Sequence, residues 1–425
     1  MNILGKVLEK LIYTKLYSVL SRAIPDNQHG FMKRRSTNSN LIQFTSDILN
    51  YMDEGYQVDV IYTDFEKAFD RVDHVILMKK LYALGIRGDL FRWMKSYVSN
   101  RKQSVRLGGS RSDYVCITSG VPQGSHLGPL LYNVYLFDIR DCFKHSKFSM
   151  FADDKKVYMR VNSIADCLLI QSDLDRLSEY YRINRITVNV KKCSQITFTR
   201  KKTSIDHAYI INNSPINKTN LVRDLGILLD SKLQMNEHIN YITNKAYRSL
   251  GFVIRSCIPF KNINCLKNVY FALVRSILEY GSCVWNPQFT KYIDAIEAIQ
   301  VKFIKQLNFK IYRYFGTYEE SCKHFHIASL RDRRELLDLM LIHNLVSGSI
   351  DSPELLSCLN FNVPIKRTRI TKSNIFHVPT SHTKYAANSF FSRVPLLYNE
   401  KYSHIDFFHL SADSFRNQIK RLQST

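Results

Sequence analysis

An α+β fold with a helical continuation is what this sequence predicts, on three observations. Over the first 230 residues, short strand-like runs, such as the β-branched 57–63 and the apolar 148–152, alternate with amphipathic stretches. Beyond 230 the strand signals give way to apolar residues at helical spacing, as in Leu266, Val269, Leu273 and Ile277, and in Ile293, Ile296, Phe303 and Leu307. The 425 residues are 45% hydrophobic, more than a single core usually serves, so two or three domains are expected.

Along the chain, Leu4, Val7, Leu8, Leu11, Ile12, Leu16 and Leu20 share one face, which predicts a helix over 3–21. No capping residue or targeting signature leads into it, and the chain reads as cut at this end. A polar loop over 26–40 carries Lys33, Arg34 and Arg35, and a helix over about 39–53 follows. Val58, Val60, Ile61 and Thr63 make a strand that ends at Asp64. A helix runs from Asp73, its candidate N-cap, to Leu84, with Gly85 closing it. Another spans 88–99. Residues 105–107 and 114–118 read as a hairpin around Gly108-Gly109. The Gly/Pro-rich turn over 119–125 opens a helix near 129–141. Residues 148–152 and 155–159 form a second hairpin, with Asp153 and Asp154 at its turn. A helix over 163–182 precedes short strands at 186–188, 195–199, 208–211 and 225–229. Helices are expected at 236–255, 263–281, 290–308 and 329–347. The stretch 360–425 is mixed and contains Pro364, Pro379 and Pro395.

Net charge is +23, which favours a polyanionic partner such as nucleic acid. Residues 231–425 hold 26 Lys/Arg against 14 Asp/Glu and are the most basic part. The 25 Tyr and 25 Phe supply core, and some are available to stack on bases. Nine cysteines without a Cys-x-x-Cys pair, and no secretory leader, predict a reducing intracellular setting without structural disulfides. No apolar run approaches ~18 residues, so no membrane span is expected. Cys322-Lys323-His324-Phe325-His326 matches no common zinc spacing and reads as structural.

The chemistry concentrates at Asp153-Asp154. Adjacent carboxylates repel unless something cationic neutralises them, and hard divalent ions take oxygen ligands. Asp-Asp is also an ordinary turn dipeptide. A third carboxylate, Asp64, at the end of a separate strand is what a shared metal site requires. Two ions held this way would activate an attacking oxygen and stabilise a leaving one in phosphoryl or nucleotidyl transfer.

Six motifs then occur in order. They are Gln28-His29-Gly30-Phe31 with Arg35-Ser36-Thr37; Asp64-Phe65-Glu66-Lys67-Ala68-Phe69-Asp70; and Gly120-Val121-Pro122-Gln123-Gly124-Ser125 with Leu127-Gly128-Pro129-Leu130-Leu131. Phe151-Ala152-Asp153-Asp154, Asn189-Val190-Lys191-Lys192-Cys193 and Leu225-Gly226-Ile227-Leu228-Leu229-Asp230 complete the set. Together they resemble the reverse transcriptase of a non-LTR retrotransposon, of the jockey-like, LINE type, and the resemblance covers most of the chain.

That resemblance implies a right-hand polymerase: an antiparallel palm sheet packed with helices, truncated fingers, a helical thumb and a C-terminal extension. The implied domains are 1–230 for the reverse transcriptase (fingers 1–56, palm 57–230), 231–350 for the thumb and 351–425 for a mixed region. It implies that Asp64, Asp153 and Asp154 bind two magnesium ions, with manganese as the alternative ion, and that Phe65 offers a backbone carbonyl. Phe69 becomes a steric gate against a ribose 2′-hydroxyl; its plain reading is a buried ring at a strand-to-helix turn. Gln123 and Gly124 would meet the incoming nucleotide, and Lys192 would donate a proton to pyrophosphate. Arg35 would contact template or triphosphate; otherwise it is a solvated loop arginine. Asp70 reads as a turn residue. Residues 225–230 fit primer-grip strands, and Ser282-Cys283-Val284-Trp285 and Ser389-Phe390-Phe391-Ser392-Arg393 fit the C-terminal region of such elements. Implied partners are an RNA template, a DNA primer or target and deoxynucleoside triphosphates, without a membrane and with nuclear action. An endonuclease domain is expected upstream and is absent from the sequence. Two other readings stay open here: a catalytically inactive, truncated relic that only binds nucleic acid, and a group II intron maturase-like protein.

Overall fold

The computed structural model describes residues 3–313, 315–363 and 374–424. Two compact units divide them: residues up to 36 with 56–220, and 37–55 with residues from 221 on. The helix Thr37–Asp53, read from sequence with the fingers, packs in the second unit, as does the hairpin at 221–230, read with the palm. Pro364 lies outside the described residues. No helix among the described residues is long and apolar enough to cross a membrane.

The first unit is α+β. Its sheet has five strands in the order Asn217–Lys218, Ser194–Phe198, Gln57–Thr63, Asp154–Val161, Lys147–Phe151. All pairings are antiparallel except that of Asn217–Lys218 with Ser194–Phe198. Gln57–Thr63 is central because it can be buried on both faces: Val58, Val60 and Ile61 are fully enclosed, each worth ~1.5–3 kcal/mol of apolar burial. Helices Leu127–Tyr135 and Ile164–Ile183 supply much of the core beneath the sheet, through Leu127, Leu131, Val134, Ile170, Leu174 and Leu177. Ile164–Ile183 starts with a capping box between Ser163 and Asp166. Asp73 caps His74–Ala83 as the sequence implied, accepting from the amides of Val75 and Ile76.

Several elements differ from the sequence reading. Residues 101–117 form a nested ribbon: Arg101–Gln103 pairs with Val115–Ile117, and only Arg106–Leu107 with Ser110–Arg111 closes around Gly108-Gly109. The ribbon is largely exposed, so no buried face selects among its registers. Residues 186–188 contribute one bridge, Phe65 to Val188, rather than a strand. The helix expected near 129–141 is Leu127–Tyr135 followed by a 3₁₀ turn, Ile139–Cys142.

The second unit is mainly helical. Leu221–Asp224 and Ile227–Asp230 form a hairpin whose two turn residues, Leu225 and Gly226, both have positive φ, the hand that matches strand twist. The helix expected over 263–281 is interrupted by a π turn at Phe271–Arg275. Tyr270 stacks on Phe303 with ring centroids 3.9 Å apart, tying that region to the helix Thr290–Lys310. The two C-terminal motifs meet around a buried ion pair. Arg393 donates to Asp338 from Nε (3.2 Å) and Nη2 (2.9 Å), and Nη2 also reaches the Cys283 carbonyl at 2.9 Å. Phe390, Phe391, Val394, Phe415 and Ile419 share one core with Leu336, Leu339 and Ile342, so the mixed C-terminal stretch is built into this unit.

Candidate active site

The first unit assembles its carboxylates by strand register. Gln57–Thr63 pairs antiparallel with Asp154–Val161, and its last pair is Thr63 with Lys155. One step past that pair stand Asp64 on one segment and Asp154 on the other. Directly opposed residues share a face of a sheet. Thr63, Phe65 and Lys155 are buried while Asp64 and Asp154 are not, as alternation requires. Asp153 occupies the two-residue turn between Lys147–Phe151 and Asp154–Val161. The other turn residue, Ala152, is buried with φ +59°.

Asp64 is the most telling of the three. Its Oδ2 is buried and makes no hydrogen bond, although Lys192 Nζ stands 3.2 Å away. At that distance the ammonium compensates the carboxylate's charge. Lys192 is 68% exposed along its side chain, so this contact leaves it free to turn. The backbone around Asp64 is fixed: its carbonyl accepts from Asn189 N (2.9 Å), and Glu66 N donates to Thr187 O (3.0 Å). Those bonds bring the Asn189–Cys193 segment, and with it Lys192, to the end of the central strand.

Among the described residues, no three His, Cys, Asp or Glu side chains stand close enough to hold a metal ion as they are. The donor set nevertheless suits a hard cation. Asp64, just past the Thr63–Lys155 pair, and Asp153 and Asp154, at the start of the paired strand, offer only oxygen, and one of those oxygens is buried without a hydrogen bond.

Phe69 lies beyond the strand on a turn held against 119–123. Val121 N donates to Phe69 O (2.9 Å), Gly120 N to Val72 O (2.8 Å) and Ser119 Oγ to Asp70 O (2.8 Å). Gly120 has φ +88°, and a Cβ there would sit 2.8 Å from Asp70 Cα and O, so only glycine lets the two loops touch. Gln123, exposed, donates to Asp70 Oδ1 at 3.0 Å; Gly124, with φ +75°, is beside it. Asp70 thus serves this turn. The Phe69 ring is half-buried, stacked on Tyr132 at 4.4 Å and edge-on to Phe31 at 5.7 Å.

The Phe65 ring is core, edge-on to Tyr181 at 5.2 Å, as its sequence context suggests. Other groups differ from a plain reading of the sequence. The Arg35 side chain is 6% exposed and committed to its own loop, bonding Asp26 Oδ1 (3.0 Å) and the Gln28 carbonyl (3.1 Å). Lys155 looks like a surface lysine after an acidic turn, yet it is buried under the site. Its Nζ donates to the Tyr181 hydroxyl (2.7 Å) and lies 4.6 Å from the centre of the Phe65 ring. Burial lowers its ammonium to about 7. The Tyr132 hydroxyl is also buried, without a hydrogen bond. Burial first, then the negative charges of Asp153 and Asp154 among its neighbours, push it well above the usual phenol range. Sequence reasoning gave neither residue a role. For Lys155 the available signal was strand alternation, which turns it inward.

Over residues 1–254 the chain matches the family model described as reverse transcriptase (RNA-dependent DNA polymerase). It is 29% identical over 308 residues to a probable RNA-directed DNA polymerase from transposon X-element of Drosophila melanogaster, covering 70% of this chain and 34% of that protein. It is 28% identical over 318 residues to the RNA-directed DNA polymerase from mobile element jockey of Drosophila funebris, covering 72% and 34%. A probable RNA-directed DNA polymerase from transposon BS of Drosophila melanogaster is 27% identical over 328 residues, covering 74% and 36%. The chain spans about a third of the length of these relatives.

Proposed function

This chain belongs to the reverse transcriptase (RNA-dependent DNA polymerase) family, and on that premise we propose that it extends a DNA 3′-hydroxyl on an RNA template as the polymerase of a non-LTR retrotransposon. The observation that carries the reading is Asp64: a carboxylate one step past the Thr63–Lys155 pair that closes the register with the strand starting at Asp154, with a buried oxygen that no hydrogen bond satisfies. Asp64, Asp153 and Asp154, with the Phe65 carbonyl, would hold two magnesium or manganese ions. Bound there, the ions would acidify the primer hydroxyl and neutralise charge on the departing pyrophosphate.

The chain's own residues supply the rest. As the primer oxygen bonds to the α-phosphorus and the bond to the bridging oxygen breaks, the pyrophosphate gains charge and needs a proton. Lys192 is a mobile ammonium at the edge of the carboxylates and is the donor in this reading. Phe69, backed by Tyr132, is the gate that excludes a 2′-hydroxyl. Gln123 and Gly124 form the surface for the incoming deoxynucleoside triphosphate, and Arg35 serves by bracing the loop at 26–30. In this reading residues 1–56 are fingers, 57–230 palm and 231–350 thumb, with 351–425 completing the core of the thumb's unit. The +12 balance of 231–425 suits salt-sensitive contacts to template and primer backbones. Action on a chromosomal target would take place in the nucleus.

Primer extension on an RNA template with magnesium tests the proposal. The wild-type chain should incorporate deoxynucleotides, and Asp153→Asn should lose incorporation while still binding RNA. A wild-type chain that binds RNA and extends nothing would overturn it.

A further inference from the structure

Gln28-His29-Gly30-Phe31 lies directly on the carboxylate hairpin. Lys147–Phe151 is the outer strand of the sheet, and the backbone at 27–29 runs along its free edge. Met150 N donates to Asn27 O (2.8 Å), and His29 N donates to Met150 O (2.9 Å). This lays the Gln28 side chain over the turn. Gln28 Oε1 accepts from Ala152 N at 2.9 Å, and its Nε2 donates to Ala152 O at 3.2 Å. The same Oε1 also accepts from Gly30 N at 2.8 Å. One primary amide, 1% exposed, therefore satisfies both backbone polar groups of the positive-φ residue that precedes Asp153. Such a pair of bonds needs a donor and an acceptor on one planar group, which carboxylate, ammonium and hydrocarbon side chains do not offer.

Gly30 makes the approach possible. A Cβ at Gly30 would lie 2.1 Å from Ala152 N, 2.8 Å from Ala152 Cα and 2.9 Å from Phe151 C, all backbone atoms. Its φ is not in the left-handed region, so the requirement here is space alone. From the far side, Asn133 Nδ2 donates to Gly30 O at 2.9 Å and pins the loop to the helix Leu127–Tyr135. The next residue, Phe31, carries the ring that meets Phe69 edge-on.

We propose that Gln28 is a positioning residue for the Asp153-Asp154 pair: its amide locks the Ala152 peptide groups and so sets where the two carboxylates stand, with Gly30 as the space that admits it. The proposal rests on the reading of these aspartates as metal ligands, and its test separates the two. Mn²⁺ binding to the full chain is measured by electron paramagnetic resonance without nucleic acid, alongside thermal melting, for wild type, Asp64→Asn, Gln28→Met and Gln28→Glu. Gln28→Glu keeps the shape and the two accepted bonds but loses the donated one.

The expected result is a single cooperative melt at a lowered midpoint, because each variant leaves a buried backbone group of Ala152 unpaired, with Mn²⁺ affinity at least tenfold weaker in both Gln28 variants. In extension assays kcat should fall while KM for the nucleotide holds. Wild-type Mn²⁺ affinity in either folded variant, with Asp64→Asn impaired, would overturn the proposal. So would unfolding of both variants, which would make Gln28 a folding residue. If wild type takes up no Mn²⁺, the metal reading fails by itself. Gln28 is then judged on amide hydrogen exchange at Asp153 and Asp154. Exchange about tenfold faster in Gln28→Met upholds the positioning role, and unchanged exchange removes it.

Discussion

Asp59 and Asp64 lie five residues apart, within and at the end of one segment of backbone, and they live in opposite circumstances. Asp59 is fully enclosed and satisfied: Thr197 Oγ1 (2.9 Å) and Gln57 Nε2 (3.0 Å) donate to Oδ1, and the Tyr209 hydroxyl (2.8 Å) donates to Oδ2. Burial still pushes its carboxyl above the usual range, against the pull of Tyr209, Gln57 and Thr197. Asp64 has one lysine beside it and a buried oxygen without a hydrogen bond. An unbonded oxygen alone does not mark a ligand, since Asp338 Oδ1 and Glu297 Oε2 are also buried without a bond, but each of those carboxylates is anchored through its other oxygen, to Arg393 and to Tyr318 and Leu330, whereas Asp64 has Lys192 alone.

The largest effect that would break this contrast belongs to Asp64→Asn. Replacing one carboxylate oxygen by an amide removes charge from the proposed site and leaves the packing intact. Primer extension should fall by about 10³-fold, equivalent to ~4 kcal/mol of transition-state stabilisation. Stability in urea should stay within ~0.5 kcal/mol of wild type. A variant that unfolds more easily but extends primers at the wild-type rate per folded molecule would reverse the assignment.

Asp59→Ala is the mirror image. It strands the hydroxyls of Thr197 and Tyr209 in a closed core, while the Gln57 amide keeps its two bonds to the Ile205 backbone. The expected cost is ~3 kcal/mol of unfolding free energy, read as a lower urea midpoint with unchanged slope. Extension per folded molecule should be unaltered. Equal stability with lost activity would place Asp59 in the reaction and dissolve the distinction.

Much of this was legible because the chemistry of Asp64, Asp153 and Asp154 is local. A β-branched run ending in aspartate and a turn holding two more announce themselves, as do the Asp73 cap and the apolar stripes of Asn236–Ser256 and Thr290–Lys310. What stayed hidden depends on distant partners. Gln28 is 124 positions from Ala152, and no local pattern distinguishes its buried amide from a loop glutamine. Lys155 reads as solvated until the sheet turns it onto Phe65 and Tyr181. Arg35, with its side chain spent on Asp26 and Gln28, looks in sequence like a free loop cation. Thr37–Asp53 joins the second unit through contacts such as those of Asp53 with the amides of His382 and Thr383, 329 and 330 positions away. The exposed ribbon at 101–117 failed for another reason: with neither face buried, its pairing is set by turn geometry alone.

His238, in the second unit, is intermediate in hydrogen-bond completeness and offers the smallest effect. It is 1% exposed, and its Nδ1 accepts from Leu228 N at 3.2 Å, which puts the proton of the neutral ring on Nε2. That Nε2 is buried without a partner. Burial, then the charge of Arg223, lowers the imidazolium to about 4. The unfolded chain, titrating near ~6.5, therefore takes up a proton before the folded one does. The contribution of His238 to stability is complete above about pH 6.5 and is lost as pH falls toward 4. Between pH 7 and pH 5 the loss amounts to ~2 kcal/mol. Urea unfolding followed by tryptophan fluorescence should show it, because Trp285 lies 5.6 Å from the His238 ring. His238→Asn keeps an acceptor for Leu228 N and removes the titration, so its stability should fall ~2 kcal/mol less than wild type over that interval. Identical pH slopes in the two proteins would show that His238 is not held neutral, and that an unpartnered buried nitrogen does not, in this fold, mark a strained group.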